Sequence, residues 1–350
     1  MASNYSTRIA VLPQDRDGIL ALWAGNLGDP ARMAWKFEWF YERSPTGAPI
    51  ALLLTCSDGT SEPPELAGVA AAGRRSFLAG NTPVDASVLV DMTVHPQHRT
   101  LFPALLLQKQ MLATGLKASP LLYGFPNAKA APVFQRAGYR RLGTIKRYTR
   151  VLRSSRYLYK YLPEIVADAV GPIADLASHM LLALRAPGNG SLRLRWSEVF
   201  DIELTGNERA GDTSLIRGRR DAEFLRWRFT ENGPARYHFI SVQLTADGAH
   251  QGYWIGESKE GVLMVRDCSP ALLVGRRAQQ AWRQLFAMAR SHGFSSLSFE
   301  CFGPQDFIRT LAALNMPARG ERPVFAAVRG DLEGSVSTLS WYLTAADEDE

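Results

Sequence analysis

Cysteine is scarce in this chain. There are three in 350 residues, at positions 56, 268 and 301. They are odd in number and far apart, which excludes a disulfide framework and a cysteine metal cluster. The six histidines show no ligand spacing with Cys, Asp or Glu; His95 and His98 flank one turn, and no metal site is expected from that pair alone. No secretory signal pattern opens the chain, and the cytoplasm is the expected compartment. The most apolar long segment, Leu162 to Leu184, is interrupted by Gly171-Pro172 and carries Glu164, Asp168 and Asp175. That composition is a poor match to a transmembrane helix and fits an interdomain helical hairpin, with a peripheral membrane helix as the alternative. No repeat or low-complexity tract is present.

What is present is an ordinary globular composition, 46% hydrophobic and 21% charged, in a length that suits two domains. Forty Lys and Arg against 34 Asp and Glu leave a net charge of +6. Because Asp347 to Glu350 are all acidic, the remainder is more basic still, and an anionic partner is expected. The acidic end itself, 346–350, reads as a frayed tail.

The pattern is alternately strand and helix. Ser6 to Val11 predicts a strand, Gln14 to Ala24 a helix, and Pro30 to Glu42 a second helix dense in aromatics. That second helix is a core element or one wall of an acceptor pocket. Ile50 to Cys56 and Glu65 to Ser76 read as paired strands, with Gly68 marking a bulge. The most informative stretch is Val88 to Tyr139. An apolar strand containing Asp91 runs to Val94, a basic turn follows at His95 to Thr100, and a helix begins at Leu101. A strand, Leu121 to Phe125, then leads through Pro126-Asn127 into a short helix ending at Gly138. A turn that feeds a helix N-terminus presents unpaired backbone N–H groups and partial positive charge, and Arg99 adds a fixed cation. Two readings stand: a phosphate site, or a solvated turn.

This stretch resembles the core of the GNAT superfamily of acyl-CoA-dependent N-acyltransferases. Asp91-Met92-Thr93-Val94-His95-Pro96 is similar to its central strand, Arg99 and the helix start to its pyrophosphate turn, and Asn127 to Tyr139 to its later helix. The resemblance implies a mixed, mostly antiparallel α/β sheet and an acyl-CoA cosubstrate, acetyl-CoA by expectation, with no metal. By the same resemblance, Met92, Thr93 and Val94 would meet the pantetheine arm. Arg99, Thr100, Leu101, Phe102, Pro103 and Ala104 would cradle the pyrophosphate, and Asn127 would lie near the thiol. Asp91 is open to two roles, a general base or a structural carboxylate paired with Arg99 or a backbone donor. Two departures accompany the likeness. The turn carries no glycine after Arg99, and Phe134 stands where many members place a tyrosine general acid; Tyr123 or Tyr139 would have to replace it.

Arg140 to Lys160 holds eight basic residues and no acid, with Tyr148, Tyr157 and Tyr159 interleaved. Alternation in Thr144 to Leu152 reads as a closing strand with a basic outer face, and the stretch suits contact with nucleic acid or anionic lipid, or is a solvated face beside a linker. Ala186-Pro187-Gly188-Asn189-Gly190-Ser191 is the clearest linker. Beyond it the order helix, hairpin, strand, helix, strand, helix recurs. Glu223 to Phe229 echoes Trp35 to Tyr41, and Ser269 to Arg277 stands where the phosphate turn stood. The expected organisation is two tandem GNAT-like units, 1–153 and 196–345, joined by 154–195. The first would hold the cofactor, while the second would shape the acceptor site. The resulting expectation is an N-acyltransferase acting on the amine of a small molecule or sugar. The alternatives are an aminoacyl-tRNA-dependent transferase and a CoA-binding protein without chemistry.

Overall fold

The computed structural model of the protein describes residues 4–57, 64–153, 191–202, 213–233 and 235–349. The expected hairpin at Leu162 to Leu184, most of the linker and the Tyr157–Lys160 end of the basic stretch lie outside them. The first half begins with β1 (Asn4–Ile9) and α1 (Leu12–Ala24). Next comes α2 (Pro30–Lys36), which starts where the Asp29 side chain accepts from the Arg32 N–H and Pro30 occupies the first turn. It continues without a break as one wide π-helical turn, Phe37–Glu42. The extra residue in that turn lets Phe37, Trp39, Phe40 and Tyr41 all be buried.

Strands β2 (Ile50–Ser57), β3 (Glu65–Ala79) and β4 (Thr82–Val94) form an antiparallel meander. The β2–β3 register slips beside Gly68, where the bulge was expected. Then follow α3 (Leu101–Ala118), β5 (Leu121–Gly124), α4 (Ala131–Ala137) and β6 (Arg140–Val151). Gly138, at φ 111°, ends α4 in a left-handed conformation.

The second half contains β7 (Leu192–Ser197), β8 (Leu215–Gly218), α5 (Ala222–Phe229), β9 (Tyr237–Leu244) and β10 (His250–Lys259). It continues with β11 (Val262–Cys268), α6 (Arg276–Ser291), β12 (Ser296–Phe302) and α7 (Gln305–Ala313). Last come β13 (Ala318–Val328), α8 (Gly330–Ser337) and β14 (Ser340–Thr344). From α5 to α7 the order is the expected one.

The described strands make one sheet, β1-β2-β3-β4-β5-β13-β6-β12-β11-β10-β9-β7. Three pairs in it are parallel: β8 with β14, and two that correspond between the halves, β4 with β5 and β11 with β12. The centre is interleaved. Strand β13, from the end of the chain, lies between β5 and β6, and β6 lies between β13 and β12. β14 then pairs β12 and β8, and β8 pairs β3, so eight of the strands close into a ring. Strand β6 is therefore a central strand rather than a closing one, with Arg140, Arg141 and Arg147 exposed along it. Arg150 is buried over the Phe286 ring and bonds the Leu314 carbonyl, Lys146 pairs with Glu321, and Arg153 bonds the Arg290 carbonyl. Within the described residues this part of the basic stretch is built into the sheet.

The core crosses between the halves. The echo helices meet at Trp39 and Trp227, whose rings stack at 4.5 Å. Each indole N–H donates to the other tryptophan's backbone carbonyl, at 3.0 and 3.1 Å. Such reciprocal bonds give the contact a two-fold character. Both rings are buried, so a lost N–H leaves a carbonyl unpaired. Trp39→Phe and Trp227→Phe should each lower unfolding stability by about 1–3 kcal/mol. The double variant should deviate from additivity in urea titrations, because the two rings touch.

Candidate functional site

The site begins with a mismatch between neighbouring strands. Residues Ala86 to Leu89 of β4 pair in parallel with Leu121 to Gly124 of β5, and the pairing stops there. Gly124 permits that last close approach, since a Cβ on it would lie 3.0 Å from Leu89 Cβ. Beyond this point β4 is bulged against β3: Ala71 faces Val90 and Val69 faces Thr93, so Asp91 and Met92 together oppose the single residue Ala70. Asp91 takes φ 52°, a left-handed conformation that aspartate tolerates better than most residues. β5 ends at Gly124, so from Val90 to Val94 this edge of β4 has no strand beside it among the described residues. His95 N–H bonds to Ala67 of β3, and strand alternation places the Met92 and Val94 backbone on the opposite edge, toward the opening. Thr93 is buried on the other side of the pleat.

The opening leads to the basic turn. Arg99 is exposed; its Nε donates to the Val94 carbonyl at 3.1 Å, and its Nη2 donates to Asn26. Thr100 is the N-cap of α3 but makes no side-chain cap bond, so its hydroxyl and the first-turn N–H groups of Leu101 and Phe102 are available to an anion, while the Ala104 N–H closes the first helical bond to the Thr100 carbonyl. Pro103, in the same turn, has no N–H to offer. Leu101 and Phe102 are exposed, and Phe102 leans on Tyr5. Asn127 follows β5 across the opening, where its Oδ1 accepts from the N–H groups of Lys129 and Ala130 at 3.0 Å each. Its carbonyl end is thus occupied as a turn cap.

The predicted tyrosines lie elsewhere. Tyr123 is fully buried and donates its hydroxyl to the Asp347 carbonyl at 2.8 Å. Tyr139 is packed against Phe134 with its hydroxyl enclosed and unbonded. Burial pushes both phenols above their usual range. Phe134 lies between Tyr139 and Phe325, so the departure from tyrosine at this position sits in a packed core. In the second half, the turn Ser269 to Arg277 borders a surface cleft lined by Gln251, Leu272, Gly275, Arg276 and Arg277.

Asp91 does not pair with Arg99. Its Oδ1 accepts from Lys36 Nζ at 2.6 Å and its Oδ2 from the Tyr41 hydroxyl at 2.9 Å, both donors lying on the aromatic helix and its π turn. Lys36 also holds Asp349, so two carboxylates share one ammonium. Burial raises Asp91 above the usual carboxylate range, whereas Lys36 outweighs burial at Asp349 and holds it low; Asp91 is the more basic of the two.

The acidic end is therefore not frayed. Asp347 accepts from Arg220 Nη1 and Nη2 at 2.9 and 2.7 Å. Arg220 Nε reaches Asp267, which also accepts from Tyr253 and Thr344. Arg322 holds Glu348 against Glu300. Beside this network lies Arg75, its guanidinium over the rings of Phe40, Phe224 and Trp227.

No protein-family model and no curated protein sequence matches the chain. Solved structures do. A conserved Enterococcus faecalis protein of unknown function superposes with a TM-score of 0.64 at 13% identity, over 93% of this chain and 73% of that one. A GCN5-related N-acetyltransferase from Anabaena variabilis gives 0.63 at 12% identity, over 93% and 73%. The chain has the GNAT fold. A Saccharomyces cerevisiae N-myristoyltransferase structure with bound myristoyl-CoA gives 0.52 at 11% identity, over 93% and 78%.

Within this GNAT fold Asp91, Met92, Val94 and Arg99 lie along the end of β4 and the turn into α3. To these the structure adds Lys36, Tyr41 and Asp349. A lone lysine inside an aromatic helix was the one available signal for the first of these; nothing local marks Asp349, which arrives from the far end of the chain. Lys36→Met should cost about 3–5 kcal/mol near neutral pH, because two buried carboxylates lose their cation. Both carboxyl pKa values rise in that variant's folded state, so its deficit in thermal stability should shrink as pH falls from 7 toward 4. Glu348 provides a second pH test. Burial pushes it up to about 7 from 4.5. With the folded value raised, its contribution is fully present below the unfolded value and is lost as pH rises through about 7. Glu348→Gln should flatten that part of the melting-temperature profile.

Proposed function

We propose that the protein is an acyl-CoA-dependent N-acyltransferase, with acetyl-CoA as donor and the amine of a small molecule or sugar as acceptor. The observation that carries this reading is the end of β4 that runs on past its pairing with β5, bulged at Asp91 and leading to Arg99 and the first turn of α3. The fold neighbour solved with myristoyl-CoA supports a CoA thioester as donor. The pantetheine arm would pair with the Met92 and Val94 backbone edge. The pyrophosphate would sit on the Leu101 and Phe102 N–H groups, with Arg99 and the Thr100 hydroxyl beside it and Ala104 closing the first helical turn behind them.

The amine attacks the thioester carbonyl carbon, the C–S bond breaks, and CoA leaves as a thiolate that solvent protonates. The proton lost by the amine goes to Asp91, the more basic member of the carboxylate pair. Two carboxylates on one ammonium carry a net charge of −1, which that proton neutralises. In this reading Tyr123 and Tyr139 pack rather than donate protons, and Asn127 shapes the thiol end of the site. The halves 1–153 and 196–345 act as two GNAT-like units that share strands at their junction, the second shaping the acceptor side. Three buried free cysteines fit the cytoplasm as compartment.

Calorimetric titration of acetyl-CoA into wild-type protein and Arg99→Ala tests the reading. Micromolar binding is expected, weakened by about 1–3 kcal/mol in the variant. Asp91→Asn should retain acetyl-CoA affinity while losing turnover. No heat, with no thermal shift from acetyl-CoA or longer acyl-CoAs, overturns the assignment. Binding without turnover on a broad amine panel leaves a CoA-binding protein.

A further inference from the structure

The expectation that no histidine meets an acid at ligand distance does not survive the fold. Strand pairing places Glu65, the first residue of β3, beside His95, which directly follows β4, and beside His98 in the short 3-10 turn Pro96–His98. Among the described residues this is the one group of three or more His, Cys, Asp or Glu side chains whose ligand atoms all lie within 4.8 Å of one another. We propose that Glu65, His95 and His98 form a binding site for a divalent transition-metal ion, with Zn2+ the best match to the donor set.

Distances carry much of the argument. His98 Nε2 lies 3.2 Å from Glu65 Oε2, and His95 Nδ1 lies 3.9 Å from Glu65 Oε1. Ligands bound to one tetrahedral ion at about 2.0–2.2 Å stand roughly 3.3–3.6 Å from each other. The three groups are thus arranged as corners around a point, and a small side-chain contraction places all of them on one ion. Two imidazoles and a carboxylate form a borderline nitrogen and oxygen set that suits Zn2+, and three protein ligands leave a coordination position open.

Two further observations point to the same occupant. The His95 Nδ1 atom is buried and has no hydrogen-bond partner, although it faces the cluster. A buried nitrogen in that state is costly unless something completes it. His98, for its part, has its other ring nitrogen fixed. Nδ1 lies 3.0 Å from the Tyr5 hydroxyl on β1. With Nδ1–H donating to Tyr5, Nε2 presents a lone pair toward Glu65, the arrangement by which outer groups orient metal-bound imidazoles. Glu65 is half exposed, which leaves a path for the ion to enter.

The site would tie β1, β3 and the end of β4 to the turn that carries Arg99. It rests on these four side chains and stands whether or not the protein transfers acyl groups. The test uses tag-free protein, freed of metal by chelation and titrated with ZnCl2. One equivalent should bind with a Kd below ~1 μM, and the melting temperature should rise with free Zn2+. Added Co2+ should give the intense visible absorption of a four-coordinate site. His98→Ala and the half-exposed Glu65→Gln should each lose the Co2+ spectrum and most of the affinity, while Tyr5→Phe weakens binding ~10–100-fold. The proposal is overturned if wild-type protein takes up well under one equivalent, or if His95→Ala/His98→Ala binds Zn2+ as tightly as wild type.

Discussion

The ladder between β6 and β13 is the constraint on which the remaining structure depends. Each of these strands belongs by sequence to one half of the chain and is hydrogen-bonded on its other side to a strand of the opposite half, β13 to β5 and β6 to β12. Neither half has a complete sheet without the other. A proline inside such a central strand would ordinarily remove a ladder bond. Pro323 is tolerated because β13 pairs with β5 only from Phe325 onward, so at the proline there is a neighbour on one side alone.

This interleaving explains why so much charge lies inside the molecule. With β13 and β14 drawn into the middle, the residues after Thr344 end between the halves. In that region Lys36 pairs with Asp91 and Asp349 and Arg220 with Asp267 and Asp347, while the buried Arg75 lies over aromatic rings and the buried Arg228 bonds the Ala345 and Ala346 carbonyls. Arg220, Asp267 and Asp347 are nearly fully bonded, which offsets their desolvation. Gly218 has no Cβ because one would fall 2.3 Å from Asp347 Oδ1 and closer still to Arg220. The candidate site borders this network through Asp91 and Lys36, so its electrostatics are set by residues from both ends of the chain.

Much of the fold was legible from local pattern. The β9 and β11 boundaries, the start of α3, the Gly138 stop and the bulge beside Gly68 follow from alternation, helical spacing and glycine placement. Thr144 to Leu152 was legible as a strand but not as a central one, since a basic alternating strand reads the same whether its edge faces water or another strand. The strands β7, β8, β13 and β14 gave weaker signals; β13 opens with Ala318-Arg319-Gly320-Glu321-Arg322-Pro323, a polar and proline-containing run. Asp91, Met92, Val94 and Arg99 were readable as a site because they are adjacent in one strand–turn–helix unit.

By itself the sequence determined the alternating α/β elements, the recurrence of their order across the two halves, and a basic turn at a helix N-terminus. All of these depend on residues a few positions apart, so local spacing records them. Only the tertiary structure decided that Asp91 pairs with Lys36 and Tyr41 rather than Arg99, that the acidic end is locked in the centre, and that Glu65 joins His95 and His98. Each of these contacts joins residues at least 30 positions apart. Strand register and the exchange of β6 and β13 bring them together, and no local periodicity encodes that choice.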